Sequence, residues 1–194
     1  MRGVVLAGGQ SSRLGQDKTA VLHGGQTLLE RSAALLGRHC EEVYISCRHP
    51  ETMPLPLPVI VDVTERMGPV GGIITALRRL GGPLLVLACD LPFMEDSVVR
   101  QLLQAHAKRP PHCVMTTWEQ GGTGFIEALV AIYEDGALPH LEQGVARGVF
   151  KLSRLIPPSL RHTITYAEND GKFFFNVNYP HDLRKLDNSE VHVL

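Results

Sequence analysis

The chain has 194 residues, enough for one compact domain that buries roughly 70% of the surface its unfolded form exposes, so its core needs neither disulfides nor a structural metal. Nineteen Lys and Arg against twenty Asp and Glu give a formal charge of −1, which offers no basic field to a nucleic-acid backbone. The longest purely apolar stretch, Leu84 to Cys89, is six residues, where about 20 are needed to cross a bilayer. Cys40, Cys47, Cys89 and Cys113 form no CxxC pair, and Met1-Arg2 leads into an apolar run that lacks a secretory signature. These features predict a cytoplasmic protein with reduced thiols and with neither nucleic-acid nor membrane partners.

In chain order, VVLA at 4–7 predicts a strand that enters a glycine-rich loop. A helix follows, with Leu28, Leu29, Ala33, Leu35 and Leu36 near one face and Thr27 and Glu30 spaced as a capping box. Strands are predicted at 43–47, 58–61 and 83–89, with a helix over 70–80 opened by GPVGG. MPLPLP at 53–58 is a stiff, extended connection rather than a domain linker. Strands apolar on both faces and separated by helices predict a doubly wound α/β fold, with a parallel sheet packed by helices on each side. Beyond Asp90 come a helix around Asp96–Lys108, strands at 113–117, 129–133, 162–166 and 173–177, and a terminal helix opened by Pro180. One domain over 1–186 and a frayed tail over 187–194 are expected.

Three segments carry chemistry. LAGGQSSRLGQDK, at 6–18, directly follows a buried strand, where open α/β sheets bind ligands. Gly8, Gly9 and Gly15 let successive amides turn toward one anion. Arg13 contributes a flat guanidinium fork and Lys18 a compact charge, and together they describe a triphosphate cradle. The spacing matches neither GxxxxGK[ST] nor GxGxxG, and a flexible surface turn is the plain alternative. The second segment, CDLPF at 89–93, sets Asp90 at the end of an apolar strand. There a carboxylate can share Mg2+ with substrate phosphates, or simply make a turn or helix cap. Asp62 ends the preceding strand at the same sheet edge, and the GPVGG glycines admit either a ligand or close helix packing. In the third, NVNYPHDL at 176–183, Asn176 and Asn178 alternate in a strand-like stretch, so both amides could reach one polar ligand or serve as caps. The nine histidines have no metal-ligand spacing, and no GxSxG or SxxK marks a serine nucleophile.

The order LAGGQSSRLGQDK, GPVGG, CDLP, FNVNYPHDL resembles the nucleotidyltransferases, and among them the molybdenum cofactor guanylyltransferase family, over residues 3–186. That resemblance implies a three-layer α/β/α sandwich of the nucleotide-diphospho-sugar transferase type. It also implies Mg2+-dependent transfer of GMP from GTP to molybdopterin carrying molybdenum, with release of pyrophosphate. It carries backbone contacts to guanosine onto Leu6, Ala7 and Gly8, and phosphate neutralisation onto Arg13 and Lys18. Gly9 falls in the same loop, Ser46 and Asp62 at nucleotide-contacting positions, Asp90 at the magnesium position, and Asn176 and Asn178 at the pterin pair. The catalytic set it implies is Arg13, Lys18 and Asp90. The sequence departs from the family pattern at Ser46 (often Asn), Ala128 (usually Pro, within IEALVAIY at 126–133, beside Glu127) and Tyr179 (usually Thr). Implied protein partners are molybdenum cofactor insertion proteins or a recipient molybdoenzyme. Alternatives are a cytidylyl- or sugar-nucleotidyltransferase with the same loop chemistry, and a non-catalytic nucleotide or pterin carrier.

Overall fold

In the computed structural model, residues 1–8, 20–62 and 67–189 are described. The chain forms β1 (Arg2–Leu6), a small hairpin of β2 (Leu22–His23) and β3 (Gln26–Thr27), α1 (Leu28–Gly37), β4 (Glu42–Cys47), β5 (Val59–Val61) and α2 (Pro69–Leu80). It continues through β6 (Leu84–Ala88), α3 (Asp96–Ala107), β7 (Met115–Gln120), β8 (Ile126–Tyr133), α4 (Ala137–Ala146), β9 (Arg161–Tyr166) and α5 (Pro180–Ser189). The main sheet has the order β5-β4-β1-β6-β8-β7-β9. All neighbours pair in parallel except at β8, which runs antiparallel to both β6 and β7.

Alternating side chains explain the layers. On β1, Val5 belongs to the core cluster that also holds Leu29 and Leu36 of α1 and Val98 and Leu102 of α3. Its neighbour Val4 points to the other face, among Ile73 and Leu77 of α2 and Leu141 of α4. β6 repeats the division, with Leu85 and Leu87 on the first face and Leu84 and Val86 on the second. A sheet buried on both sides must be apolar on both, which is why these strands read as unbroken hydrophobic runs. The result is the expected three-layer sandwich.

α1 starts where the sequence placed it. The Thr27 hydroxyl accepts from the Glu30 amide at 3.1 Å, and the Thr27 amide donates to the Glu30 carboxylate at 2.7 Å. Four features differ from expectation. Residues 173–177 form no strand: Glu168–Phe174 is a 3-10 helix, and the chain then runs on irregularly. Phe174 joins Trp118 and Tyr166 in an aromatic cluster, so its apolar character serves packing on the sheet rather than a place within it. The β2–β3 hairpin and α4 had no distinct sequence signal. α5 extends to Ser189, and the rest of the expected tail lies outside the described residues. Among the described residues no helix is long and apolar enough to cross a membrane.

Candidate active site

β1 is the strand about which the chain reverses: β4 and β5 are added on one side of it and β6 on the other. In open α/β sheets the crevice beyond the strand ends at such a switch point receives ligands. Here the backbone ladder continues past those ends. The Ala7 amide donates to the Ser46 carbonyl at 2.8 Å, Cys89 to Leu6 at 3.2 Å, and Asp62 to Cys47 at 2.8 Å. Residues just after the strands are therefore held by the sheet rather than left to loops.

One cavity opens at this edge. Leu6, Ala7, Gly8, Ser46, Asp62 and Asp90 all line it, together with the first turn of α2. Ser46 and Asp62 are nearly inaccessible, at 2% and 9% exposure, so their polar atoms are fixed parts of the wall. Gly68 caps α2 with a φ of 61°, which a side chain would strain, and Pro69 occupies the first helical position. At Gly72 a Cβ would lie 2.7 Å from Ser46 Oγ and 3.3 Å from Leu6 Cδ2. Glycine there lets α2 seat against β1 and β4, bringing its amide-rich end to the cavity, where the helix dipole favours an anion.

The sequence-predicted residues divide by position. Leu6, Ala7, Gly8, Ser46, Asp62 and Asp90 converge on this cavity. Gly9, Arg13 and Lys18 lie outside the described residues. Asn176 and Asn178 do not project from one face of a strand, because no strand forms there. Asn176 donates from Nδ2 to the Phe174 carbonyl at 3.1 Å and lines a second cavity. The backbone amides of Asn178 and Tyr179 instead donate to Asp182 Oδ2, both at 2.9 Å, at the start of α5. The segment still belongs to the neighbourhood, since the Val177 amide donates to the Asp90 carbonyl at 3.0 Å.

The second cavity shares Pro69 and Leu129 with the first, and Glu127 and the rings of Phe125 and Phe150 also line it. Burial pushes the Glu127 carboxyl above its ordinary range, against the effect of a 2.5 Å hydrogen bond donated by the Tyr166 hydroxyl. The Tyr166 phenol is pushed up in turn, by its own burial and by Glu127. Sequence reasoning gave Tyr166, Phe125 and Phe150 no role. The available signal was a lone carboxylate, Glu127, inside the apolar run IEALVAIY.

As metal donors, Asp90 and Asp62 present hard carboxylate oxygens to one cavity, and the described residues hold no cluster of three His, Cys, Asp or Glu that could cage an ion. Such a donor set suits Mg2+, which is commonly held by one or two carboxylates with substrate phosphates and waters completing the shell. It does not suit zinc, which takes mainly nitrogen and sulfur.

An open sheet with one antiparallel strand, and a carboxylate-lined cavity at its switch point, defines an α/β protein with a ligand site of the open-sheet type. The chain belongs to the MobA-like NTP transferase domain family, whose model matches residues 3–163. It is 31% identical over 185 residues to the probable molybdenum cofactor guanylyltransferase of Mycobacterium tuberculosis, covering 92% of this chain and 89% of that protein. It is 37% identical over 140 residues to the molybdenum cofactor biosynthesis bifunctional protein of Synechocystis, an alignment spanning 70% of this chain but only 40% of that longer relative. The crystal structure of molybdopterin-guanine dinucleotide biosynthesis protein A from Archaeoglobus fulgidus superposes with a TM-score of 0.78 at 25% identity, over 100% of both chains.

Proposed function

We propose that this protein transfers GMP from GTP to molybdopterin carrying molybdenum, forming the guanine dinucleotide cofactor and releasing pyrophosphate. The observation that carries the reading is the meeting of Leu6, Ala7, Gly8, Ser46, Asp62 and Asp90 on one cavity at the switch point. The names of the relatives supply the substrates.

In this reading the nucleoside lies along the backbone of Leu6–Gly8, between Ser46 and Asp62. Gly9, Arg13 and Lys18 are the proposed partners of the triphosphate, and Asp90, which lines the cavity with Asp62, would hold Mg2+. When bound, the ion neutralises phosphate charge and orients the triphosphate for in-line displacement. The acceptor is a phosphate monoester with a charge of about −1.5 to −2 at pH 7, so its oxygen attacks without a general base. No histidine is needed for proton removal. The oxygen forms a bond to the α-phosphorus as the bond to the β-phosphate bridge breaks, and pyrophosphate leaves with the electron pair. Arg13 and Lys18 stabilise the charge gathering on that leaving group. Asn176, on the adjoining cavity, meets the pterin side, with Asn178 close behind it in the chain.

The test is pyrophosphate release by purified protein given molybdenum-loaded molybdopterin, Mg2+ and either GTP or CTP. Release with GTP and little with CTP is expected. Preference for CTP would reassign the nucleotide, and no release with either would point to a passive carrier.

A further inference from the structure

We infer that Glu127 selects the second substrate by its ring: its carboxylate accepts the paired N–H donors of a 2-amino-4-oxopyrimidine seated in the cavity beside β8, an inference that takes its choice of pterin from the transferase reading above.

β8 is distorted where Glu127 sits. Ala131 pairs with Thr117 and Ile126 with Glu119, so five steps along β8 are matched by two along β7. The surplus residues bulge out of the ladder, a device that re-aims side chains beside functional sites. Side chains satisfy the carbonyls this leaves over. The Thr117 hydroxyl donates to the carbonyls of Glu127 at 2.8 Å and Val130 at 3.3 Å, and the Tyr133 hydroxyl donates to that of Ala128 at 2.8 Å. The bulge is thus pinned at three of its carbonyls.

The carboxylate is pinned as well. Tyr166 donates to Oε1, and its ring lies tilted against Phe174 with centroids 4.5 Å apart while meeting Trp118 edge-on at 6.4 Å. Glu127 is only half-buried and lines a cavity of about 250 Å³. That is room for roughly eight waters at ~30 Å³ each, or for a bicyclic heterocycle. Phe125 and Phe150, 49% and 45% exposed, supply apolar faces at the same cavity. A planar ring between apolar walls, with a carboxylate at its edge, calls for a ring bearing adjacent N–H donors, since an ionised carboxylate only accepts. Guanine and pterin both carry that edge. The cavity's position, beside rather than within the switch-point crevice, assigns it to pterin.

The experiment titrates metal-free molybdopterin, and separately GTP, into the wild-type protein, Glu127→Gln and Tyr166→Phe. Glu127→Gln is expected to weaken molybdopterin binding at least ~10-fold, within the usual strength of hydrogen bonds to a charged group, and to leave GTP binding within about twofold. The GTP arm also reports that the variant is folded. Tyr166→Phe removes a donor that helps keep Glu127 ionised, so the acid limb of molybdopterin binding moves to higher pH, a shift that loss of packing alone would not produce. Unchanged molybdopterin affinity in Glu127→Gln, or an equal loss for GTP, overturns the inference. If the wild type binds molybdopterin through Glu127 yet releases no pyrophosphate, the transferase reading fails and the inference stands. If pyrophosphate is released while Glu127→Gln binds molybdopterin normally, the inference fails alone.

Discussion

Asp90 illustrates what a single position conveys. On sequence, a carboxylate after an apolar strand is as much a turn former as a ligand. The structure places it on the same cavity wall as Asp62 and Ser46, and that shared placement favours the ligand role. Under the proposed mechanism, Asp90→Ala and Lys18→Ala each lower turnover by at least 10²–10³, about 2.7–4 kcal/mol of transition-state stabilisation; steady-state pyrophosphate release checks this. Gly72 gives a steric counterpart. A methyl group there would press on Ser46 Oγ at 2.7 Å, and overpacking of this kind costs about 1–3 kcal/mol. Gly72→Ala is therefore expected to lower the urea midpoint and raise the KM for GTP, and adding Ser46→Ala should restore part of both. Independent, additive losses would show that the two positions do not press on each other.

The strands of the parallel half were legible as apolar runs, and α1 carried two agreeing local signals. α1 had both its apolar face and its capping box, and Thr27→Ala should cost about 1 kcal/mol, or roughly 2–4 °C in Tm by calorimetry. Residues 173–177 misled because a run of three phenylalanines has strand propensity wherever it stands. Two of its partners, Trp118 for Phe174 and Phe93 for Phe175, are distant in sequence and invisible to a local pattern. α4 carries Pro139 in its opening turn and Gly144 against Leu155, residues of low helix propensity that leave its local signal weak. The β8 bulge was equally hidden, since what holds it is a threonine on the neighbouring strand. Thr117→Val strips the donor from two carbonyls and is expected to destabilise by about 1–3 kcal/mol. It should also weaken molybdopterin binding more than GTP binding.

Across the whole molecule, the sheet keeps two features apart: the ends of its strands meet at the switch-point cavity, and a polar network elsewhere ties α3 to β7 and the end of β8. There His106 meets Thr116 Oγ1 at 3.3 Å and Glu134 at 3.2 Å, and Arg109 pairs with Glu134 at 2.8 Å. Burial, with Arg109 and His162 nearby, pushes the His106 pKa down to about 4 from 6.5. The folded state thus favours the neutral ring. Its contribution to stability is complete above pH 6.5 and is lost as the pH falls toward 4, because the unfolded chain takes up the proton first. Urea midpoints measured from pH 7.5 to 4.5 should fall less steeply in His106→Gln than in the wild type.

In the proposed reaction the switch-point cavity directs attack onto the α-phosphate of GTP, which tracing the phosphates tests. With molybdenum-loaded molybdopterin and Mg2+, label from α-32P-GTP is expected in the pterin product and label from γ-32P-GTP in pyrophosphate, with both transfers abolished in Asp90→Asn. Gamma label in the pterin product or in free orthophosphate, or full transfer by Asp90→Asn, would contradict the account.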